Sequence, residues 1–206
     1  MHHHTHLSQH EQQQQIREGI ALQGFALRHV LASADEPAYS YTVGLFTPGS
    51  QKPELVISGL STELRVAWLL DLGFRIQGPP PLATRQHMAR VHRVALDTLV
   101  FPEGGAVFEP GKCYRDLAEN QMPTWFAQIA SERYHTHLGQ AIVFHGSSPF
   151  PVLQVVWPDP HGFFPWQASF DLRFVGTQRL LFDQQHQMYR GADAIPTDQT
   201  GKARLT

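Results

Sequence analysis

The sequence predicts an α+β fold: a single domain with a mostly antiparallel sheet and helices packed on one face. Three observations carry this expectation. Phe25–Leu31, Ala38–Phe46 and Glu54–Leu60 are short β-rich runs with turn-rich connections, which suggests an antiparallel meander. Thr62–Ile76 spaces its apolar residues as a helix does. Phe150–Trp157 reads FPVLQVVW and is apolar on both alternating faces except at Gln154, as expected of a central strand covered on two sides. The order strands, helix, strand, helix, strands fits α+β.

Composition narrows the class. A chain of 206 residues can bury one good core without disulfides or metals. A net charge of −2 gives no electrostatic footprint for nucleic acid or a membrane surface. One cysteine forbids an internal disulfide, and no apolar run reaches 18 residues. A cytoplasmic protein is the expectation.

Residues 1–15 are rich in His and Gln and read as a disordered leader, so His2, His3, His4, His6 and His10 are set aside as site residues. The domain is expected over 16–183 and a flexible polar tail over 184–206. Glu11–Leu22 reads as a short helix stopped at Gly24. The three strand runs follow. Ser61 is a good N-cap for Thr62–Ile76, where Leu64, Trp68 and Leu72 form the clearest i, i+4 series. Gly78 and the prolines at 79–81 stop it. Strand-like character is expected in Gln86–Leu99, chiefly over Val91–Val100, and a short extended piece over Ala106–Tyr114. Pro123 suits the first turn of a helix running to His137 and ending at Gly139. Gln140–His145 and Val152–Trp157 are read as strands, and Phe170–Phe182 as an edge strand or coil.

The most informative stretch is Phe150–Gln167, FPVLQVVWPDPHGFFPWQ. A buried amide in its strand must be bonded, so Gln154 either meets backbone or contacts a ligand. Pro158, Pro160 and Pro165 end the strand and stiffen the loop that carries Trp157, Asp159, His161 and Trp166. That loop is either a corner packed on tryptophans or a rim that holds Asp159 and His161 over a cleft. The letters WPD also occur in the acid loop of tyrosine phosphatases. That chemistry needs a cysteine in a phosphate-cradling loop, and Cys113 stands in GKCYRDL without one.

Small and polar residues recur on neighbouring runs: Ser40, Thr42 and Gly44, then Ser58 and Gly59, then Gln154. They would either floor a cleft or lie beneath the helix Thr62–Ile76. The candidate ligand-binding set is Tyr41, Thr42, Gly44, Gln154, Trp157, Asp159 and Trp166. The candidate catalytic groups are Asp159, Glu54 and His161, with no spacing to fix their roles. No metal site or cofactor motif is present: GxSxG, HExxH, CxxC and glycine-rich phosphate loops are all missing. His135 and His137 would diverge on a helix. Cys113 reads as an unreactive thiol despite Lys112 and Arg115.

The chain resembles the DUF4262 domains, a bacterial family defined by sequence. The likeness rests on Tyr41-Thr42-Val43-Gly44-Leu45, Pro53-Glu54-Leu55, Gly59-Leu60, Leu153-Gln154, Trp157-Pro158-Asp159 with Gly162, and Pro165-Trp166. It covers roughly Gly24 to Gln167. The family brings no established activity, so the resemblance implies which positions matter and not what they do.

Two function classes stand against each other. The first is a binding or interaction module, regulatory or immunity-type, with a cleft near the WPD loop and an unknown small molecule or protein as partner. Aromatic anchors and the missing catalytic motifs favour it. The second is a small hydrolase using Asp159 or Glu54 as general acid or base.

Overall fold

The computed structural model describes residues 8–92, 105–115, 117, 122–146 and 148–183. Helix α1 (Gln9–Gln23) starts at a capping box: the Ser8 hydroxyl accepts from Glu11 N and the Glu11 carboxylate accepts from Ser8 N. Its C-cap is Gly24, in the left-handed region. The helix therefore takes in the Gln-rich stretch as far as Gln15. Strands β1 (Ala26–Val30), β2 (Tyr39–Val43) and β3 (Glu54–Ser58) then form the expected antiparallel meander. Helix α2 (Thr62–Gln77) is capped by the Ser61 side chain, which accepts from Leu64 N.

Helix α3 (Leu82–His92) occupies the start of the region expected to be extended. The remainder of that expectation, at 93–100, lies outside the described residues, as do residues 1–7 of the expected leader and the tail at 184–206. Strands β4 (Lys112–Tyr114), β5 (Thr124–Gln128) and β6 (Val152–Val156) complete a six-stranded sheet of order β1-β2-β3-β6-β5-β4. Every neighbouring pair is antiparallel except β3–β6, which is parallel. The α+β class and the single, largely antiparallel sheet are as the sequence predicts.

The sheet is covered on both faces, not one. Leu55 and Ile57 of β3 and Leu153 and Val155 of β6 face α2, where they meet Trp68, Leu69 and Leu72. Tyr41, Val43, Val56 and Val152 face the other side. There they meet Ile16 of α1 and Leu138 and Ala141, which flank and enter helix α5 (Gly139–His145). Strand alternation places these sets on opposite faces. Within α2 the buried stripe runs through Arg65, Trp68, Leu69 and Leu72, while Leu64 is 47% exposed.

Two further elements differ from expectation. Residues after Pro123 form β5, not a helix. Trp125 and Ala127 pack on one side of this strand and Phe126 on the other, so aromatic residues buried on both faces outweigh the proline signal. A 3₁₀ turn at Ser131–Arg133 and the short helix α4 (Tyr134–His137) follow. Gln140–His145 is then helical, within α5. Helix spacing lets Leu138, Ala141 and Ile142 share the buried side, whereas Val143 is 47% exposed. Phe170–Phe182 is coil around one 3₁₀ turn, Leu172–Phe174.

Candidate functional site

Glu54 opens β3 and is fully buried. A buried carboxylate survives only when well bonded, and the sequence around it supplies the donors. Gly44 adopts φ +100 after β2, a conformation costly for other residues. A Cβ there would also collide with Ile20 of α1. The turn aims consecutive amides at the carboxylate. Oε1 accepts from Gly44 N at 2.7 Å and Phe46 N at 3.2 Å, while Oε2 accepts from Leu45 N at 3.4 Å. Oε2 also accepts from Thr42 Oγ1 at 2.6 Å, and Thr42 Oγ1 in turn accepts from Leu55 N. His145 Nε2, on α5, lies 2.8 Å from Oε1. Its ring packs among Phe46, Phe144 and Phe150.

Asp159 is the matching anchor at the other end of β6. It is fully buried, and Oδ1 accepts from His161 N and Phe163 N at 2.9 Å while Oδ2 accepts from Asp171 N at 2.8 Å. Burial alone would raise its pKa. The three backbone donors, with a smaller contribution from nearby His161, outweigh that and hold the carboxyl below its usual value. This carboxylate staples the loop 159–171 to itself. The His161 side chain is exposed.

The sheet brings some of the sequence-predicted residues together, Thr42 and Gly44 at Glu54, but does not gather the whole set into one site. Thr42, Gly44 and Glu54 sit at the end of the sheet where β2 finishes and β3 begins. Trp157, Asp159 and Trp166 sit where β3 and β6 finish. Four residue steps of strand, about 13 Å, separate these levels. The small residues also divide between faces: Ser40 and Thr42 share the α2 side with Leu55 and Ile57, while Ser58 and Gln154 share the opposite side with Val56. Tyr41 is buried beside Tyr39, and burial raises its pKa. Trp157 donates Nε1 to Ser58 O at 2.8 Å. Trp166 stacks on Phe164 and meets Trp125 and Phe182 edge-on. Gln154 bonds backbone: it donates to Arg179 O at 2.5 Å and accepts from Leu181 N at 2.6 Å.

Sequence reasoning missed Arg65. It is 2% exposed and lies on the buried stripe of α2. Nε donates to Ser40 Oγ, Nη1 to the carbonyls of Gly59 and Leu60, and Nη2 to Thr62 Oγ1. Among the described residues no carboxylate lies within ion-pair distance of it, and Glu63 acts on it only as a nearby charge. His145 was missed too, because its segment reads as a strand.

Two concave surfaces lie elsewhere. A cavity of about 400 Å³ opens beside the start of β3. Pro53, Ile76, Phe108, Pro151 and Leu153 give it apolar walls, and Lys52 is the one ionisable side chain in its lining among the described residues. A wider depression of about 570 Å³ lies nearby, against Glu132, Tyr134, Phe150 and Asp183. None of the candidate catalytic residues lines either cavity. Among the described residues no group of three or more His, Cys, Asp or Glu could hold a metal, and no helix is long and apolar enough to cross a membrane.

The family model described as "Domain of unknown function (DUF4262)" matches residues 19–171. The chain belongs to the DUF4262 family. No curated protein and no solved structure matches it. The DUF4262 match takes in both carboxylate anchors, Glu54 and Asp159, and all six strands. It ends before residues 172–183, whose backbone meets Ser58 and Gln154.

Proposed function

We propose that this DUF4262 chain is a binding module, and that its ligand is a small molecule with an apolar body and a neutral or acidic polar end, seated in the 400 Å³ cavity beside Pro53 and Pro151. One observation carries the reading: that open-mouthed cavity is walled mostly by apolar side chains, whereas Glu54 and Asp159 are buried and spent on backbone donors. A general acid or base needs a proton position open to substrate and a pKa near the working pH. Asp159 has neither, since its carboxyl is held low. Ligand sites are concave, mostly apolar and carry few polar groups. The walls formed by Ile76, Phe108 and Leu153, with Lys52 and Gln51 as polar contacts, fit that description. A single cysteine suits a reducing compartment, and the cytoplasm is the inferred location.

A thermal-shift screen of small amphipathic acids and neutral analogues tests this on the wild type and Ala106→Trp, a bulky substitution in the cavity lining. A ligand should raise the wild-type Tm by several degrees and shift the tryptophan variant much less, because selective binding to the native state raises apparent stability. Equal shifts in both proteins, or a compound turned over at Asp159, would overturn the assignment.

A further inference from the structure

Residues 177–182 cross β3 and β6 on the face away from α2, without helix or strand. Their contacts have an unusual form. The Gln154 side-chain amide donates to Arg179 O and accepts from Leu181 N, at 2.5 and 2.6 Å. It therefore pairs with the C=O of one residue and the N–H of the residue two along, as a neighbouring strand would. Ser58 Oγ accepts from Arg179 N at 2.9 Å. These three bonds touch backbone alone, so they are indifferent to the sequence that lies there.

Sequence enters through the side chains. Leu181 is 1% exposed and joins the cluster of Tyr39, Val56 and Val152. Phe182 is 5% exposed and joins Trp125, Val156 and Phe164. Arg179 Nη2 lies 3.8 Å from Glu36. The surface thus accepts a basic residue followed at two and three places by apolar ones. Backbone bonds supplying affinity and side-chain pockets supplying selectivity is how grooves recognise extended peptides.

The reading residues Ser58 and Gln154 lie inside the DUF4262 match, while the segment they hold lies beyond its end. In the occupied groove the Gln154 amide and the Ser58 hydroxyl are buried and bonded to the segment's backbone, so an occupant that lacked those backbone groups would leave them unpaired at a cost of about 1–3 kcal/mol each. We propose that Ser58 and Gln154, with the Leu181 and Phe182 pockets, form a binding groove for an extended peptide of basic–x–apolar–aromatic pattern. The chain's own residues 177–182 fill it as an exchangeable intramolecular ligand. Tethering gives that segment a high effective concentration, so an outside peptide competes only when the segment is weakened or the partner is abundant.

The test uses a fluorescent peptide of residues 176–183, GTQRLLFD, titrated against the full chain. Leu181→Ala weakens the tethered occupant and leaves the groove intact. The peptide should bind this variant at least tenfold more tightly than wild type. Methylating the peptide nitrogen at its second leucine should abolish binding, because that nitrogen donates to Gln154. Equal binding to both proteins, or undiminished binding of the methylated peptide, would overturn the proposal. Native-state hydrogen exchange on the wild type needs no variant. The Arg179 and Leu181 amides should exchange at least a hundredfold faster than those of Phe126 and Val155 in the central strands; equal protection would make the segment a permanent part of the core and end the idea.

Discussion

His145 Nε2 lies 2.8 Å from Glu54 Oε1, across 91 residues of chain, and this contact fastens α5 to the start of β3. The same carboxylate gathers the amides of Gly44, Leu45 and Phe46. Glu54→Ala would leave several buried donors without an acceptor. It should destabilise the fold by about 3 kcal/mol or more, given about 1–3 kcal/mol for each donor stranded. Glu54→Gln retains one acceptor oxygen and should cost less. Urea denaturation of both variants checks the order, and a loss under about 1 kcal/mol for the alanine would contradict it.

Asp159 makes stability depend on acid pH. Its folded-state pKa lies below the unfolded value because its backbone donors outweigh burial. Above the unfolded pKa, about 3.9, both states are ionised and its contribution is complete. As pH falls below that value the unfolded chain takes up the proton first, and the contribution declines until it vanishes below the folded pKa. Asp159→Asn should therefore be less stable than wild type at pH 7, and the gap should close as pH falls from about 4. A gap that stays constant from pH 7 to pH 2 would rule this out.

Arg65 divides a buried guanidinium among Ser40, Gly59, Leu60 and Thr62. Lysine offers a point charge without the planar fork. Arg65→Lys should cost about 2 kcal/mol or more, through the carbonyls of Gly59 and Leu60 left unbonded. Leu60 is the one non-glycine residue at positive φ among those described, at 58°, so the turn it occupies is already strained. The thermal midpoint of Arg65→Lys should drop by several degrees. An unchanged midpoint would show that the turn holds itself.

Gly59 combines φ +75 with close approach of the Thr177 carbonyl. Gly59→Ala would strain the backbone by about 1–2 kcal/mol and push against that carbonyl. The expected result is a lower midpoint together with faster hydrogen exchange at Arg179. Loss of stability with exchange at Arg179 unaltered would separate the turn from the segment it touches.

Much of the sheet is legible in the sequence because its signals are local. The β1–β3 meander, the Ser61 cap and the two-faced apolar run of β6 each need only neighbouring residues to be read. Strand β5 hides because Trp125, Phe126 and Ala127 are all buried, so no alternation marks them. Helix α5 hides because Ala141 to Phe144 is short and β-branched, and a run of that length does not separate helix from strand. Glu54 and Asp159 stand out as carboxylates beside apolar runs, yet their donors come from turns whose geometry no spacing reveals. His145 and Arg65 acquire meaning only from residues distant in the chain or in a different element.

The parallel seam between β3 and β6 bears on how the molecule assembles. Strands β1–β3 can zip up from nearby residues, and β5–β6 close over a connection of modest length. Joining Glu54 to Val152 brings together positions roughly a hundred residues apart. The kinetic barrier should therefore lie in docking two preformed halves along that line, with the rate set by topology more than by stability.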